Sequence, residues 1–160
     1  MASNEIPADV QSLIGFTRSI TDAVTARDIR HFAQAIGDDD PLYSDEQHGL
    51  TTRYGSMIAP PLFGQTFAFA DLPVAEMPPD LSPSEADVPV PAERTVGGSS
   101  EYEFFQPIRP GDVITRTSEL KSVTKKVGSS GDLYLVLVET RFVNQDGVLV
   151  AREEATYVKK

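Results

Sequence analysis

The sequence predicts an α+β fold in which one antiparallel sheet wraps around a single apolar helix. Two helical patterns occur in the first half, and the last third is rich in Val, Thr, Ile, Tyr and Phe between turn signals. The 160 residues suffice for one core, so we expect residues 1–160 to form a single domain. The free edge of such a sheet favours pairing with another domain of the same kind.

The first helix is predicted over the segment TARDIRHFAQAIG. Thr25 followed by Asp28 has the spacing of a capping box, and Gly37 is suited to end the helix. One apolar stripe at helical spacing consists of Ile29, Phe32, Ala33 and Ile36. A short strand is expected around FTRSI, before this helix.

The second helix is predicted from Pro61 to Leu72 and is apolar nearly all round, as a helix enclosed by other structure would be. The segment between the two helices is expected to begin as a loop. Residues 73–95 combine many prolines with acidic and small residues, which excludes ordinary helix or strand. We expect this stretch to be a long Pro-rich excursion on the surface.

Strands are predicted over residues 100–105, 112–126, 132–144 and 147–158. The nearly continuous apolar sequence DLYLVLVETRFV indicates a strand that is covered on both faces, at least at its start. Asp146 and Gly147 favour a tight hairpin between the last two strands.

Composition limits the possible partners. A net charge of −10 argues against a nucleic-acid surface, which needs a basic face. There is no cysteine, and no apolar run approaches the roughly 20 residues that span a bilayer. We therefore expect a cytoplasmic protein that binds neither nucleic acid nor membrane and holds no metal. Basic groups available to an anionic ligand, or merely solvated, are Arg53 and the cluster of Arg116, Lys121, Lys125 and Lys126.

An acidic run follows the first helix in the segment IGDDDPLY. Asp38, Asp39 and Asp40 come where the end of a helix carries partial negative charge, so carboxylates are unfavourable there. One interpretation is a polar turn whose side chains cap local amides. The other is a catalytic loop or its remnant, because working and relic sites break such local rules.

Three stretches, in this order, resemble the MaoC-like dehydratases and (R)-specific enoyl-CoA hydratases, which have the hot-dog fold. IGDDDPLYSD is similar to the hydratase signature G-D-x-N-P-x-H-x-D. YGSMIAPPLF stands where the family has an I-x-H-G-M segment, and FFQPIRPGDVI is similar to its Pro-[IV] and Gly-Asp pattern. The resemblance covers most of residues 24–158. It implies hydration or dehydration of an acyl-CoA or acyl-carrier thioester, without a cofactor.

The resemblance also shows which reactive groups are replaced. In active members, the aspartate and histidine of the signature activate a water, and a glycine N–H holds the thioester oxygen. Asp38 takes the place of that aspartate, whereas Asp40 replaces the asparagine. Tyr43 replaces the histidine, and a phenol with a pKa of about 10 is a poor base near neutrality. The spacing from Tyr43 places Pro61 on the glycine, and proline has no N–H.

This pattern is similar to the degenerate, N-terminal-type half of the family, a FAS1-like dehydratase domain. In heteromeric members, one subunit keeps the Asp/His pair and the other cradles the acyl chain. The resemblance thus implies a second MaoC-like subunit, with Asp38 and Tyr43 as degenerate catalytic positions here. Its implied substrate-binding positions are Asp40, Pro60, Pro61, Leu62, Phe63, Gly64 and Phe67.

Other interpretations stay open. A homodimeric hydratase would use Asp38 with Tyr43 or His48, while His31 is expected at the surface or at the edge of the apolar stripe. A non-catalytic hot-dog dimer would bind acyl-CoA or simply assemble. A thioesterase would use Asp38 to place its attacking water. The identity of the acyl chain does not follow from the sequence.

Overall fold

The fold is built on one five-stranded antiparallel sheet, seen in a computed structural model that describes residues 6–69, 73, 75, 77, 86–128 and 131–160. The strands are β1 (Thr17–Ala23), β2 (Thr95–Phe104), β3 (Val113–Gly128), β4 (Gly131–Val143) and β5 (Leu149–Lys159). Their order in the sheet is β1-β3-β4-β5-β2, so β1 and β2 form its edges. The helices are α1 (Ala8–Ser12), α2 (Ala26–Ile36), α3 (Glu46–Thr51) and two 3₁₀ helices, Pro41–Tyr43 and Phe63–Phe69. The predicted α+β class is confirmed.

Helix α2 forms where the capping signals predict it. The Thr25 hydroxyl accepts from the Asp28 N–H at 3.2 Å, and the Asp28 carboxylate accepts from the Thr25 N–H at 3.1 Å. Gly37 has a φ of 72°, and the Asp38 N–H bonds to the Ala33 carbonyl at 2.9 Å. These bonds fix the direction in which the acidic run leaves the helix.

The strands lie close to the predicted ranges, except that β2 begins at Thr95 rather than at residue 100. The predicted hairpin joins β4 to β5, with Gly147 at a φ of 76° and its N–H bonded to the Asn144 carbonyl at 3.0 Å. The Asn144 side chain accepts from the Val148 N–H at 2.9 Å. The connection therefore spans residues 144–148, longer than a two-residue turn.

Two apolar clusters pack on the inner face of the sheet. The first includes Phe63 and Phe67 of the second 3₁₀ helix together with Phe142 of β4. The second includes Val10, Leu120, Tyr134, Val136 and Val138. Between them, Ser118 of β3 faces Thr140 of β4, and their buried hydroxyls are hydrogen-bonded at 2.9 Å.

Between α2 and β2, the structure differs from the loop and the longer helix that the sequence predicts. The predicted Pro61–Leu72 helix is a 3₁₀ helix over Phe63–Phe69, and residues 70–72 lie outside the described ranges. Helix α3 occupies part of the predicted loop, because the Asp45 carboxylate caps it by accepting from the Gln47 N–H at 2.8 Å.

The predicted surface excursion, residues 73–95, is described at 73, 75, 77 and 86–95. Ala86 and Val88 are buried in the second apolar cluster, and β2 begins at Thr95. The last part of the excursion therefore belongs to the core, since its alternate small apolar side chains point inward between exposed residues. The remainder of that prediction lies outside the described residues.

Within the described ranges, no helix is both long enough and apolar enough to cross a membrane.

Candidate functional site

A cavity of about 450 Å³ lies beside the second 3₁₀ helix. Its lining is residues 42, 43, 53, 54, 58–65, 102, 104–108, 142 and 151. Most of these side chains are apolar, and the polar ones include Tyr43, Gln65 and Tyr102. A largely apolar cavity with a few placed polar groups is typical of a small-molecule site.

Backbone hydrogen bonds hold the walls of the cavity together. The Ile58 N–H bonds to the Leu42 carbonyl at 3.2 Å, and the Ala59 N–H bonds to the Ile108 carbonyl at 2.8 Å. Phe105, beyond the end of β2, bonds through its N–H to the Val150 carbonyl at 2.9 Å. Four segments that are distant in the sequence are thereby fixed around one cavity.

The acidic run and its flanks, which we call the motif loop (residues 37–45), use their carboxylates for local turns. Asp38 accepts from the Asp40 N–H at 3.1 Å, and Asp40 accepts from the Leu42 N–H at 2.8 Å. Asp45 does the same for the Gln47 N–H. Neither Asp38 nor Asp40 lines the cavity. The polar-turn interpretation of this run therefore accounts for its local hydrogen bonds.

Tyr43 lines the cavity and packs against the first apolar cluster. Burial raises the pKa of the Tyr43 hydroxyl, and the nearby carboxylates of Asp38 and Asp40 raise it further. The phenol is therefore protonated at neutral pH and is suited to donate a hydrogen bond. It is even less suited to act as a base than an ordinary tyrosine.

The segment from Pro60 to Gly64 forms one wall of the cavity. Leu62 has a φ of 67°, and no other non-glycine residue in the described ranges has a positive φ. This conformation is strained for leucine, and such strain is frequent at binding and catalytic sites. Pro61 beside it offers no N–H to a ligand.

Phe63, Gly64 and Phe67 also have packing roles. Phe63 and Phe67 are 3% and 4% exposed in the first cluster, and Phe67 is not part of the cavity lining. A Cβ added to Gly64 would lie 2.8 Å from the Phe142 ring. Gly64 therefore permits close contact between the 3₁₀ helix and β4.

The two histidines lie away from the cavity. His31 on α2 and His48 on α3 are both exposed, and neither is among the lining residues. The His48 N–H bonds to the Asp45 carboxylate as part of the helix cap. Neither imidazole is placed to exchange protons with a ligand in the cavity. The described residues also contain no group of three or more His, Cys, Asp or Glu arranged to hold a metal ion.

Of the predicted basic groups, only Arg53 borders the cavity. Its guanidinium lies 4.7 Å from the centre of the Tyr54 ring, an arrangement that holds the exposed cation at the cavity lining. Arg116 is 3% exposed, Lys121 pairs with Glu119 at 3.1 Å, and Lys125 pairs with Asp132 at 2.8 Å. These three cations do not form a shared surface for an anion.

Sequence reasoning missed a polar group on the sheet side of the cavity, which we call the polar wall (Gln65, Tyr102 and Glu153). Gln65 Nε2 donates to Glu153 Oε2 at 2.8 Å and to the Tyr102 hydroxyl. Tyr102 also hydrogen-bonds to Glu153, which faces it across β2 and β5. The alternation in EYEFF was a usable signal, because it places Tyr102 and Phe104 on one face, where their rings stack at 5.8 Å.

The sheet order, the enclosed 3₁₀ helix and the cavity between them are those of a hot-dog domain. The solved structure of a truncated HadBC (3R-hydroxyacyl-ACP dehydratase) complex from Mycobacterium tuberculosis is similar in fold, with a TM-score of 0.67. The two sequences are 20% identical, and the match covers 91% of this chain and 96% of the HadBC chain. The predicted hot-dog fold is thereby confirmed.

The sequence matches the model of the FAS1-like dehydratase domain region over residues 12–153, and the chain belongs to that family. A UPF0336 protein of Streptomyces avermitilis is 31% identical over 121 residues, covering 74% of this chain and 76% of that protein. A probable enoyl-CoA hydratase alpha subunit of Thermomonospora curvata is 27% identical over 155 residues, covering 92% of this chain and 48% of that protein.

Proposed function

We propose that this chain is the acyl-binding, base-deficient subunit of an enoyl-thioester hydratase or 3-hydroxyacyl-thioester dehydratase. The observation that carries the proposal is the cavity lining, which has Tyr43 and Pro61 where the resemblance expects the general base and the oxyanion donor. A partner hot-dog subunit supplies the Asp/His pair. Water addition and loss need only proton transfer and charge stabilisation, so no cofactor is required.

The shape and polarity of the cavity suit an acyl chain. Its volume falls in the range of small-molecule sites, about 300 to 1,000 Å³, and its lining is mostly aliphatic and aromatic. Tyr43, kept protonated by burial and by the neighbouring carboxylates, donates a hydrogen bond to the bound thioester. Arg53, an exposed cation of the cavity lining, binds the phosphate of a CoA or acyl-carrier pantetheine arm.

The β2 edge of the sheet supports a partner of the same fold. Phe104 and Phe105, at the end of this edge, are 53% and 52% exposed while also lining the cavity. An open strand edge beside exposed aromatic rings favours pairing with another sheet. Two comparisons agree with a multi-subunit enzyme, since one relative is called an alpha subunit and one similar structure is a HadBC complex.

Enzyme assays with separate and mixed subunits test the proposal. The purified chain alone is expected to hydrate neither crotonyl-CoA nor a longer enoyl-CoA, because it lacks a base in the cavity. Mixing it with a hot-dog subunit that carries the intact Asp and His motif is expected to give activity. Substantial hydration by the lone chain, at the rate of the mixture, overturns the proposal.

A homodimeric hydratase that uses Asp38 with Tyr43 is the second candidate, favoured by the position of Tyr43 in the cavity beside the Asp38 carboxylate. The Asp38→Asn variant separates the two, since asparagine keeps an oxygen that can accept from the Asp40 N–H but removes the charge. If the chain is the base-deficient subunit, the mixture of the Asp38→Asn variant with its partner subunit keeps its activity. If the chain is a homodimeric hydratase, the same substitution abolishes turnover.

A further inference from the structure

The polar wall contains a buried carboxylate, Glu153, to which the proposed hydratase function assigns no role. Glu153 is 4% exposed on β5, next to the cavity wall but outside its lining. Burial of a carboxylate is costly unless hydrogen bonds satisfy it. Gln65, from the 3₁₀ helix, and Tyr102, from β2, both meet this carboxylate and both line the cavity.

The chemistry of the three groups fixes the direction of their hydrogen bonds. A carboxylate only accepts, so the amide nitrogen of Gln65 must face Glu153, and it donates both to Glu153 and to the Tyr102 oxygen. The Tyr102 hydroxyl in turn donates to Glu153. Burial and the Glu153 carboxylate both raise the pKa of Tyr102 well above its ordinary value, so the phenol keeps its proton at every physiological pH.

This assignment leaves acceptors rather than donors for a ligand. The N–H groups of Gln65 and the O–H of Tyr102 are directed to partners within the wall. A second lone pair on the Tyr102 oxygen and the side-chain carbonyl oxygen of Gln65 remain as hydrogen-bond acceptors. A ligand group that complements them must donate a hydrogen, and the adjacent negative charge disfavours carbonyl and carboxylate groups.

We propose that the polar wall binds a hydroxyl group carried on the acyl chain, in addition to any hydroxyl at the reacting carbons, and so selects hydroxylated acyl thioesters. This inference rests on the proposed acyl-binding function. It names a substrate class for the same cavity, because an unsubstituted chain would bury the acceptors of Gln65 and Tyr102 without a donor. A site that leaves buried polar groups without partners discriminates strongly against the ligand that lacks the matching group.

Calorimetric titration of the purified chain measures this selectivity directly. The probes are dodecanoyl-CoA and its monohydroxylated forms with the hydroxyl at carbon 6, 9 or 12. At least one hydroxylated form is expected to bind about tenfold more tightly than dodecanoyl-CoA. Equal affinity for all four ligands overturns the inference and leaves the proposed function intact, whereas the absence of any binding overturns both.

Two phenylalanine variants locate the selectivity. Tyr102→Phe removes the hydroxyl oxygen and is expected to abolish the tenfold preference. Tyr134→Phe, at a tyrosine of the second apolar cluster that does not line the cavity, is expected to keep the preference ratio. A preference that survives in Tyr102→Phe contradicts the assignment. The comparison of ligands on the unmodified chain decides the question even if Tyr102→Phe fails to fold.

Discussion

The motif loop and the polar wall both border the cavity, but they use acidic side chains differently. Asp38, Asp40 and Asp45 in the motif loop are half-buried or exposed, and each accepts from an amide two residues further on. Glu153 in the polar wall is almost fully buried and binds side chains from two other elements. The carboxylates of the sequence motif therefore stabilise the local backbone turns of the motif loop. Glu153, the most deeply buried of these carboxylates, belongs to no sequence motif.

The largest effect is expected from Gly49→Ala, which tests the close packing of helix α3, the helix capped by Asp45 of the motif loop, against the backbone at Met57. A Cβ at Gly49 would lie 2.8 Å from the Met57 Cα and closer still to the Met57 nitrogen, and backbone atoms cannot rotate away. We expect a loss of about 3 kcal/mol in the free energy of unfolding, measured by urea denaturation. The control is Gly97→Ala, where an added Cβ meets nothing within 4 Å. Equal stability of the two variants would contradict this explanation.

Gln65→Leu should cause the next largest loss and tests the polar wall. The variant removes a hydrogen bond from the buried Glu153 carboxylate, so we expect a loss of about 2 kcal/mol in the free energy of unfolding. Gln34→Leu on the exposed face of α2 serves as the matched control and is expected to change stability by less than about 0.5 kcal/mol. A loss at Gln65 as small as that at Gln34 would show that the wall contributes nothing to folding.

The alkaline stability profile should show the raised pKa of Tyr102. An unfolded tyrosine loses its proton near pH 10, whereas the folded Tyr102 keeps it, so the unfolded state binds fewer protons above that pH. The free energy of unfolding is therefore expected to fall as the pH rises through about 10 and to vary little below it on account of this group. Urea denaturation at several alkaline pH values should give a shallower decline for Tyr102→Phe. Identical slopes would refute the assignment.

The smallest effect concerns the strained turn between the motif loop and the polar wall. Leu62→Gly relieves the positive φ of Leu62, so we expect the free energy of unfolding to rise by roughly 0.5 to 1 kcal/mol. Leu50→Gly in α3, where leucine is similarly exposed, should have the opposite sign, because glycine weakens a helix. Thermal denaturation of both variants checks the two signs. Destabilisation by both would mean that the Leu62 conformation carries no strain.

Much of the fold could be predicted because its signals are local. Thr25, Asp28 and Gly37 act within one helix, and the turn at Gly147 joins two neighbouring strands. Helix α3 was missed because it lacks an apolar stripe and contains a glycine. That glycine favours a loop by propensity, although close packing against Met57 requires it. The burial of Ala86 and Val88 could not be predicted either, because their neighbours are prolines and acidic residues, which are typical of an exposed loop.

The polar wall could not be predicted as a group, because its three members are far apart in the sequence and meet only in the folded chain. Tyr102 faces Glu153 across two strands that are far apart in the sequence, and Gln65 comes from a third element. Nothing in the local pattern around Glu153 distinguishes it from the exposed Glu154 beside it. The motif loop was visible for the opposite reason, since its residues are consecutive and its turns are made within the same few positions.

The buried hydrogen bond between Ser118 and Thr140 helps to set the register in which β3 pairs with β4. A shift of β3 against β4 by one residue turns apolar side chains toward water, so the alternation of side chains opposes it. A shift by two residues keeps every side chain on its own face, and apolar patterning alone does not penalise it. Such a shift would place Ser118 opposite Val138 or Phe142, leaving two hydroxyls enclosed without their bond, at a cost of about 1 to 3 kcal/mol each. These two small polar residues therefore discriminate against mispaired states that a wholly apolar interior would tolerate.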